Sequence, residues 1–260
     1  MSFSYKCVLM VGATSGIGLG MAEKLIREGS KVIAVGRRQE RVDDFVRKHG
    51  NKADGCAYDI KDNQNLNNFV HTVTTKHPDI DCVYLNAGIQ GVYDFSKPRQ
   101  VDLAAFHEEM SVNFTSFVNL TTSFLPFLQS KSTPTSIVFT GSNLAIVPAW
   151  NMPAYSASKA ALNCFTLCLR EQLANAGSKT KIFEVSPPPV QTELHDYMGI
   201  EKGRTLGMPL AEFCDKAYEG LASGKDQVII GSIGPQEKFM DIVDKRRSTF
   251  EFLAKMMRSH

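Results

Sequence analysis

The chain has 260 residues, 43% of them hydrophobic and 22% charged, enough to bury a sizeable core without disulfides or a metal. A formal net charge of +2, with no basic run interleaved with aromatics, argues against a nucleic-acid surface, and no stretch approaches the roughly 18 consecutive apolar residues of a membrane span. The cysteines are scattered, Cys164 and Cys168 lack companions at metal-ligand spacing, and no basic-then-apolar leader heads the chain, so a cytoplasmic protein with reduced thiols and a small-molecule partner is expected.

In chain order, β-rich apolar runs alternate with helical periodicity. A strand at 7–11 is followed by a helix at 19–28, a strand at 31–35 and a helix at 40–48. Strands at 53–58, 81–85, 136–140, 181–185 and 227–230 alternate with helices at 65–76, 103–128, 154–175 and 210–223. This is the pattern of βαβ units, and it predicts a doubly wound, Rossmann-like α/β fold: about seven parallel strands with helices on both faces. Most of the strands are wholly apolar, as strands covered on both sides should be. No repeat or linker intervenes, so one domain over 1–260 is expected. The segment 191–209 breaks the rhythm with polar, glycine and mixed apolar residues, in the manner of a mobile flap.

Between the first strand and its helix lies Gly12-Ala-Thr14-Ser15-Gly16-Ile17-Gly18. A sharp turn, a pyrophosphate approaching the backbone and a helix packed close to the sheet each favour the absence of a Cβ, and the helix N-terminus offers free N–H groups to an anion. An ordinary glycine-rich turn reads the same way on spacing alone. The second strand ends Val35-Gly36-Arg37-Arg38, with no carboxylate to hold both ribose hydroxyls of NAD. Two guanidinium forks there suit a 2′-phosphate and favour NADP(H), although a solvated basic pair opening the next helix is the plainer alternative.

Tyr155 and Lys159 stand four apart on a predicted helix, hence on one face, with Ser142 upstream just past a strand. An ammonium beside a phenol favours the phenolate and brings its pKa toward working pH, as a proton donor to a carbonyl requires. Tyr and Lys at this spacing are in themselves unremarkable on an amphipathic helix.

Taken together, Gly-x-x-x-Gly-x-Gly at the first turn, Asn86-Ala87-Gly88 at the end of the fourth strand, Ser142 and Tyr155-x-x-x-Lys159 resemble, in order and separation, the short-chain dehydrogenase/reductase family along nearly the whole chain. The resemblance implies that Ser142 orients and polarises the substrate carbonyl, that Lys159 also holds the nicotinamide ribose, and that Asn113 anchors a water linking the lysine to solvent. Alternatively, Asn113 only kinks its helix or satisfies the core. The resemblance sets Asp59 and Ile60 at the adenine, and Ala87 and Gly88 where the backbone nears the cofactor ribose, while Asn86 braces the sheet. It gives Pro187, Val190 and Thr192 to the nicotinamide carboxamide. Ser15 stands where many NADP-using relatives carry a second basic residue. Pro188 replaces the usual glycine, and the run Pro187-Pro188-Pro189-Val190-Gln191-Thr192 is similar to the DltE-like branch of the family.

Leu144, Ile146, Val147, Trp150 and Met152, with Leu194, Tyr197 and Met198 from the flap, are candidate walls of a mostly apolar pocket, suited to a hydrophobic ketone, aldehyde or alcohol. His195 is read as a surface or flap histidine with no catalytic role before it is read as a second acid. A helix is expected in the tail at 235–260, and by resemblance a homodimer or homotetramer. The competing class is a catalytically silent NADP(H)-binding regulator, against which the intact Asn113, Ser142, Tyr155 and Lys159 set argues. A nucleotide-sugar epimerase or dehydratase of the longer related enzymes would need a larger C-terminal domain than the residues after Val190 provide.

Overall fold

The computed structural model describes residues 3–258; residues 1, 2, 259 and 260, which the expected domain and tail include, lie outside the described residues. The first half builds β1 (Cys7–Val11), α1 (Gly16–Arg27), β2 (Lys31–Gly36), α2 (Gln39–His49), β3 (Ala53–Ala57), α3 (Leu66–Lys76) and β4 (Cys82–Leu85). After α4 (Leu103–Met110) and α5 (Ser116–Gln129) come β5 (Thr135–Thr140), α6 (Pro153–Asn175), β6 (Thr180–Ser186), α7 (Ile200–Thr205), α8 (Leu210–Ala222), β7 (Gln227–Ile229) and α9 (Gln236–Arg258). All pairings are parallel, in the order β3-β2-β1-β4-β5-β6-β7. The doubly wound α/β fold expected from the sequence is the one formed.

Alternation along the strands divides the core. Val8, Met10, Val32, Ala34 and Tyr84 face α1 and α8 on one side of the sheet. Leu9, Val11, Ile33, Val35 and Leu85 face α3, α5 and α6 on the other. Each fully buried side chain of this size contributes about 1.5–3 kcal/mol. The outer strand β3 departs from the doubly covered pattern: only Ala53 of its five residues is buried, because no strand pairs beyond it. Between β1 and β4 the strand order reverses, and a crevice opens there at the carboxyl ends of the strands.

The periodicity over 103–128 predicts a single helix, but the chain forms α4, one π turn at Ser111–Thr115 and then α5. Asn113 sits mid-way in the π turn and is wholly buried. A buried asparagine must have partners, and the wider turn lets its amide reach the backbone of Ile89.

The flap is not irregular throughout. It holds a 3₁₀ turn at Glu193–Met198 and the short α7, and its base is closed by a parallel bridge between Val190 and Met208. The Gln191 N–H donates to the Met208 carbonyl at 3.0 Å, and the Met208 N–H to the Pro189 carbonyl at 2.9 Å. Gly207 permits this closure: its φ is +87°, and a Cβ there would lie 2.1 Å from the Pro189 oxygen. The C-terminal α9 docks on α6 through Arg246 with Asn163 and Arg258 with Glu171, and on Asp226 through Arg247 at 2.9 Å. Among the described residues no helix is long and apolar enough to cross a membrane.

Candidate active site

A groove of about 950 Å³ runs along the carboxyl ends of the strands, from Arg37 and Arg38 at β2 to Tyr155 on α6. At its base, Gly12 turns with φ +86° and Gly16 with φ +53°, conformations that a side chain disfavours. Gly18 serves packing instead: a Cβ there would stand 2.0 Å from the Gly12 carbonyl and 2.6 Å from Asn86 Nδ2. Thr14, Ser15, Gly16 and Ile17 line the groove, and Gly18 lies behind them. Ser15 makes no side-chain cap and α1 has no carboxylate in its first turn, so its leading N–H groups and positive dipole end are left for an anion. The cradle therefore fits a dinucleotide pyrophosphate.

Arg37 and Arg38 are both exposed, immediately past β2. Gly36 precedes them because Thr14 lies against it, its Cγ2 only 2.5 Å from where a Cβ would be. A third guanidinium, missed in the sequence, belongs to Arg41: its Nη1 reaches the Thr14 carbonyl at 3.5 Å and Glu193 Oε2 of the flap at 3.2 Å. Within the first turn of α2, it had no motif to mark it. Asp59 and Ile60 line the same end, with one Asp59 oxygen accepting the Lys61 N–H at 3.0 Å.

A polar chain crosses the sheet beneath the groove. Asn86 Nδ2 donates to the Gly12 carbonyl at 3.4 Å, and Asn86 Oδ1 accepts the Thr140 hydroxyl at 2.8 Å. Lys159 Nζ donates to the Thr140 carbonyl at 2.9 Å. Ala87 and Gly88 follow along the groove wall, and a Cβ at Gly88 would come 3.3 Å from Asn113 Oδ1 and 3.9 Å from Lys159 Nζ. Asn113 itself does not open on the groove. Its Oδ1 accepts the Ile89 N–H at 3.0 Å, while Nδ2 donates to the Ile89 carbonyl at 2.8 Å and to Ser158 Oγ at 3.2 Å.

Ser142, Tyr155 and Lys159 meet at the inner end of the groove. Ser142 follows β5 in an extended conformation, and its Oγ accepts the Leu144 N–H at 3.1 Å. Pro153 starts α6, which carries Tyr155 and Lys159 on one face; Lys159 Nζ lies 5.7 Å from the Tyr155 ring centre. The expectation that the ammonium lowers the phenol is corrected here. Burial pushes Tyr155 up to about 12, opposed by its hydrogen bond with Ser142. Burial also brings Lys159 down to about 8, opposed by the charges of Glu184 and Glu109. Desolvation disfavours the charged form of each and outweighs these opposing contacts.

Pro187, Val190 and Thr192 line the opposite wall, where the Pro187 carbonyl accepts the Asn143 N–H at 3.1 Å. Thr192 Cβ lies 3.3 Å from the Cβ position of Gly16, so the start of the flap rests on the phosphate turn. Pro188 packs against Gly231. Leu144, Val147, Met152, Leu194 and Tyr197 wall the pocket as expected, whereas Ile146 and Met198 do not, and Trp150 projects outward, 88% exposed. His195 belongs to the flap but not to the surface: it is 8% exposed, lines the groove, and its Nδ1 meets Gln90 Nε2 at 2.8 Å. Burial depresses its basicity. Glu184 was also missed, although a lone carboxylate in the apolar run 181–185 was a legible signal; it is fully buried and accepts Asn163 Nδ2 at 2.7 Å.

A parallel sheet with a glycine cradle at its switch point, and a Ser-Tyr-Lys set above it, defines a dinucleotide-binding oxidoreductase. The family model described as short chain dehydrogenase matches residues 6–202, and the chain belongs to that family, whose members bind a nicotinamide cofactor. It is 30% identical over 259 residues to the uncharacterized oxidoreductase DltE of Bacillus subtilis, covering 99% of this chain and 98% of that one. A short chain dehydrogenase from Burkholderia cenocepacia in complex with NADP is 26% identical with a TM-score of 0.78, covering 97% of this chain and 99% of that one. A Burkholderia phymatum short chain dehydrogenase/reductase in complex with NAD shares the fold at 18% identity and a TM-score of 0.79, over 88% and 90% of the two chains.

Proposed function

We propose that the chain is an NADP(H)-dependent carbonyl reductase, working in one domain on a hydrophobic ketone or aldehyde, or on the alcohol in reverse. The observation that carries this reading is the meeting of Ser142, Tyr155 and Lys159 at the inner end of a groove that runs from Arg37 and Arg38. Arg37 and Arg38 bind the 2′-phosphate as forked, permanently charged donors. Gly12, Thr14, Ser15, Gly16 and Ile17 bind the pyrophosphate through backbone N–H groups at the α1 N-terminus, with Gly18 letting that helix approach. Asp59 and Ile60 bound the adenine, Ala87 and Gly88 the ribose, and Pro187, Val190 and Thr192 the carboxamide. A nicotinamide held there supplies or accepts a hydride.

Tyr155 gives its O–H proton to the carbonyl oxygen as the carbon is reduced, and takes it back in the oxidation. Ser142 donates a hydrogen bond to the same oxygen and so polarises the carbonyl. Lys159 holds the ribose hydroxyls and steadies the negative charge that develops on Tyr155. Asn113, clamped to Ile89, anchors the water that links Lys159 to solvent. The apolar walls Leu144, Val147, Met152, Leu194 and Leu206 favour hydrophobic substrates. Exposed Phe252, Leu253, Met256 and Met257 on α9 support a homodimer or homotetramer, which light scattering measures.

The test is consumption of NADPH with a panel of diketones, aromatic aldehydes and cyclic ketones, after fluorescence titration with both nucleotides. Selective NADPH binding with turnover supports the reductase, whereas binding without turnover on any member favours the silent regulator. Absence of binding overturns both.

A further inference from the structure

Glu184 stands inside β6, between Phe183 and Val185, and is wholly buried. A buried ion network seldom adds stability over an apolar core of the same volume, so a carboxylate on a doubly covered strand is explained by what it touches. Its Oε2 accepts the Asn163 amide at 2.7 Å, and its Oε1 accepts the Ser186 hydroxyl at 3.4 Å. Oε1 also abuts Gly141, where an added Cβ would collide with it. Gly141 is the residue between Thr140, whose carbonyl holds Lys159 Nζ at 2.9 Å, and Ser142.

The support for this carboxylate comes from the C-terminal helix. Arg246 of α9 donates to Asn163 Oδ1, and Asn163 stands one turn after Lys159 on the same face of α6. Arg170, further along α6, donates to the Ile182 carbonyl at 3.1 Å and to the Asp226 carbonyl at 2.9 Å, and Arg247 of α9 holds the Asp226 carboxylate at 2.9 Å. Burial raises the Glu184 pKa, opposed by Asn163, Arg170, Ser186 and Arg246. Burial lowers that of Lys159, opposed by the charges of Glu184 and of Glu109 on α4, with the Tyr155 ring one turn earlier on α6. Two hydrogen bonds and one contact thus lead from α9 to the main chain beside Ser142.

We propose that α9 is a strut for catalysis: Arg246, through Asn163, holds the Glu184 carboxylate against Gly141 and so positions Ser142 and Lys159 on either side. The strut rests on the carbonyl-reductase reading, in which Ser142 polarises the carbonyl and Lys159 steadies Tyr155. Arg246, Asn163 and Glu184 do not line the groove, so they are positioning residues that act through others.

The test compares Arg246→Met, Arg246→Lys, Glu184→Gln and the double variant carrying Arg246→Met and Glu184→Gln with the parent chain. The strut predicts that Arg246→Met lowers reductive kcat about ten- to a hundred-fold, the scale of a small misplacement of reacting groups, with KM and NADPH affinity held. Arg246→Lys, which keeps a cationic donor for Asn163, loses less. Glu184→Gln keeps the shape against Gly141 and removes the charge, so the alkaline fall of reductive kcat moves below the parent's pH of about 8, a shift that a purely structural role would not produce. In that background Arg246→Met costs less, because no buried carboxylate is stranded. Parent-like kcat in Arg246→Met, even with a lower Tm, makes α9 a stabilising cap and overturns the strut, as does an alkaline limb that Glu184→Gln leaves in place. If Arg246→Met does not fold, the Glu184→Gln limb decides. If the parent chain reduces nothing, the reductase reading fails instead, and NMR of lysine labelled at Cε decides the strut. The Lys159 resonance, assigned through Lys159→Met, must then titrate at lower pH in Glu184→Gln, and an unmoved titration overturns the strut.

Discussion

Lys159 and Thr140 are joined by a hydrogen bond of 2.9 Å from the ammonium to a main-chain carbonyl at the end of β5. The bond fixes the lysine below Tyr155 but leaves it desolvated, and the same burial keeps Tyr155 protonated through the neutral range. The neutral phenol is the form that donates a proton; the phenolate that accepts one from an alcohol becomes available as pH rises toward about 12. Reductive kcat should therefore hold below about 8, where Lys159 keeps its charge, and fall above it, while oxidative kcat climbs with pH. Steady-state rates in both directions check this, and an oxidative rate that falls with rising pH would contradict it.

Gly18→Ala tests the cradle. Its Cβ would sit 2.0 Å from a main-chain oxygen, so α1 must move away from the sheet. Overpacking of this kind costs about 1–3 kcal/mol. The expected outcome is a lower Tm together with equally weakened NADPH and NADH binding, measured by thermal melts and fluorescence titration.

Arg37→Ala should weaken NADPH about 10- to 100-fold, the equivalent of a charged hydrogen bond of roughly 1.5–3 kcal/mol, and leave NADH nearly unchanged. Equal losses for both nucleotides would remove the 2′-phosphate assignment.

Glu109→Gln has a stability signature of its own. Because burial raises the folded pKa to about 7, the folded state binds more protons than the unfolded one between its ordinary value of 4.5 and about 7. The parent should thus lose up to about 3 kcal/mol relative to Glu109→Gln as pH rises through that window, and no further loss should follow above it. Urea melts of both proteins at several pH values measure the difference.

Much of this was legible in the sequence because it lies in local patterns. The apolar runs 7–11 and 31–35 became β1 and most of β2, and the glycines of the first turn stand where positive φ and tight packing require them. What was hidden depended on distant partners. Nothing in the periodicity of 103–128 marks the π turn, because its cause is the backbone of Ile89, which the fold brings to Asn113. Arg41 acquires its place from Thr14 and Glu193, and the buried His195 meets Gln90, which the loop after β4 brings to it. The pKa of Tyr155 was misjudged because charge proximity is visible at four-residue spacing and burial is not.

The most direct test of the account is Tyr155→Phe, which removes one hydroxyl and keeps the ring. NADPH should bind as tightly as to the parent while carbonyl reduction falls about 10²–10⁴-fold. Turnover retained at the parent rate would contradict the assignment of Tyr155 as the proton donor.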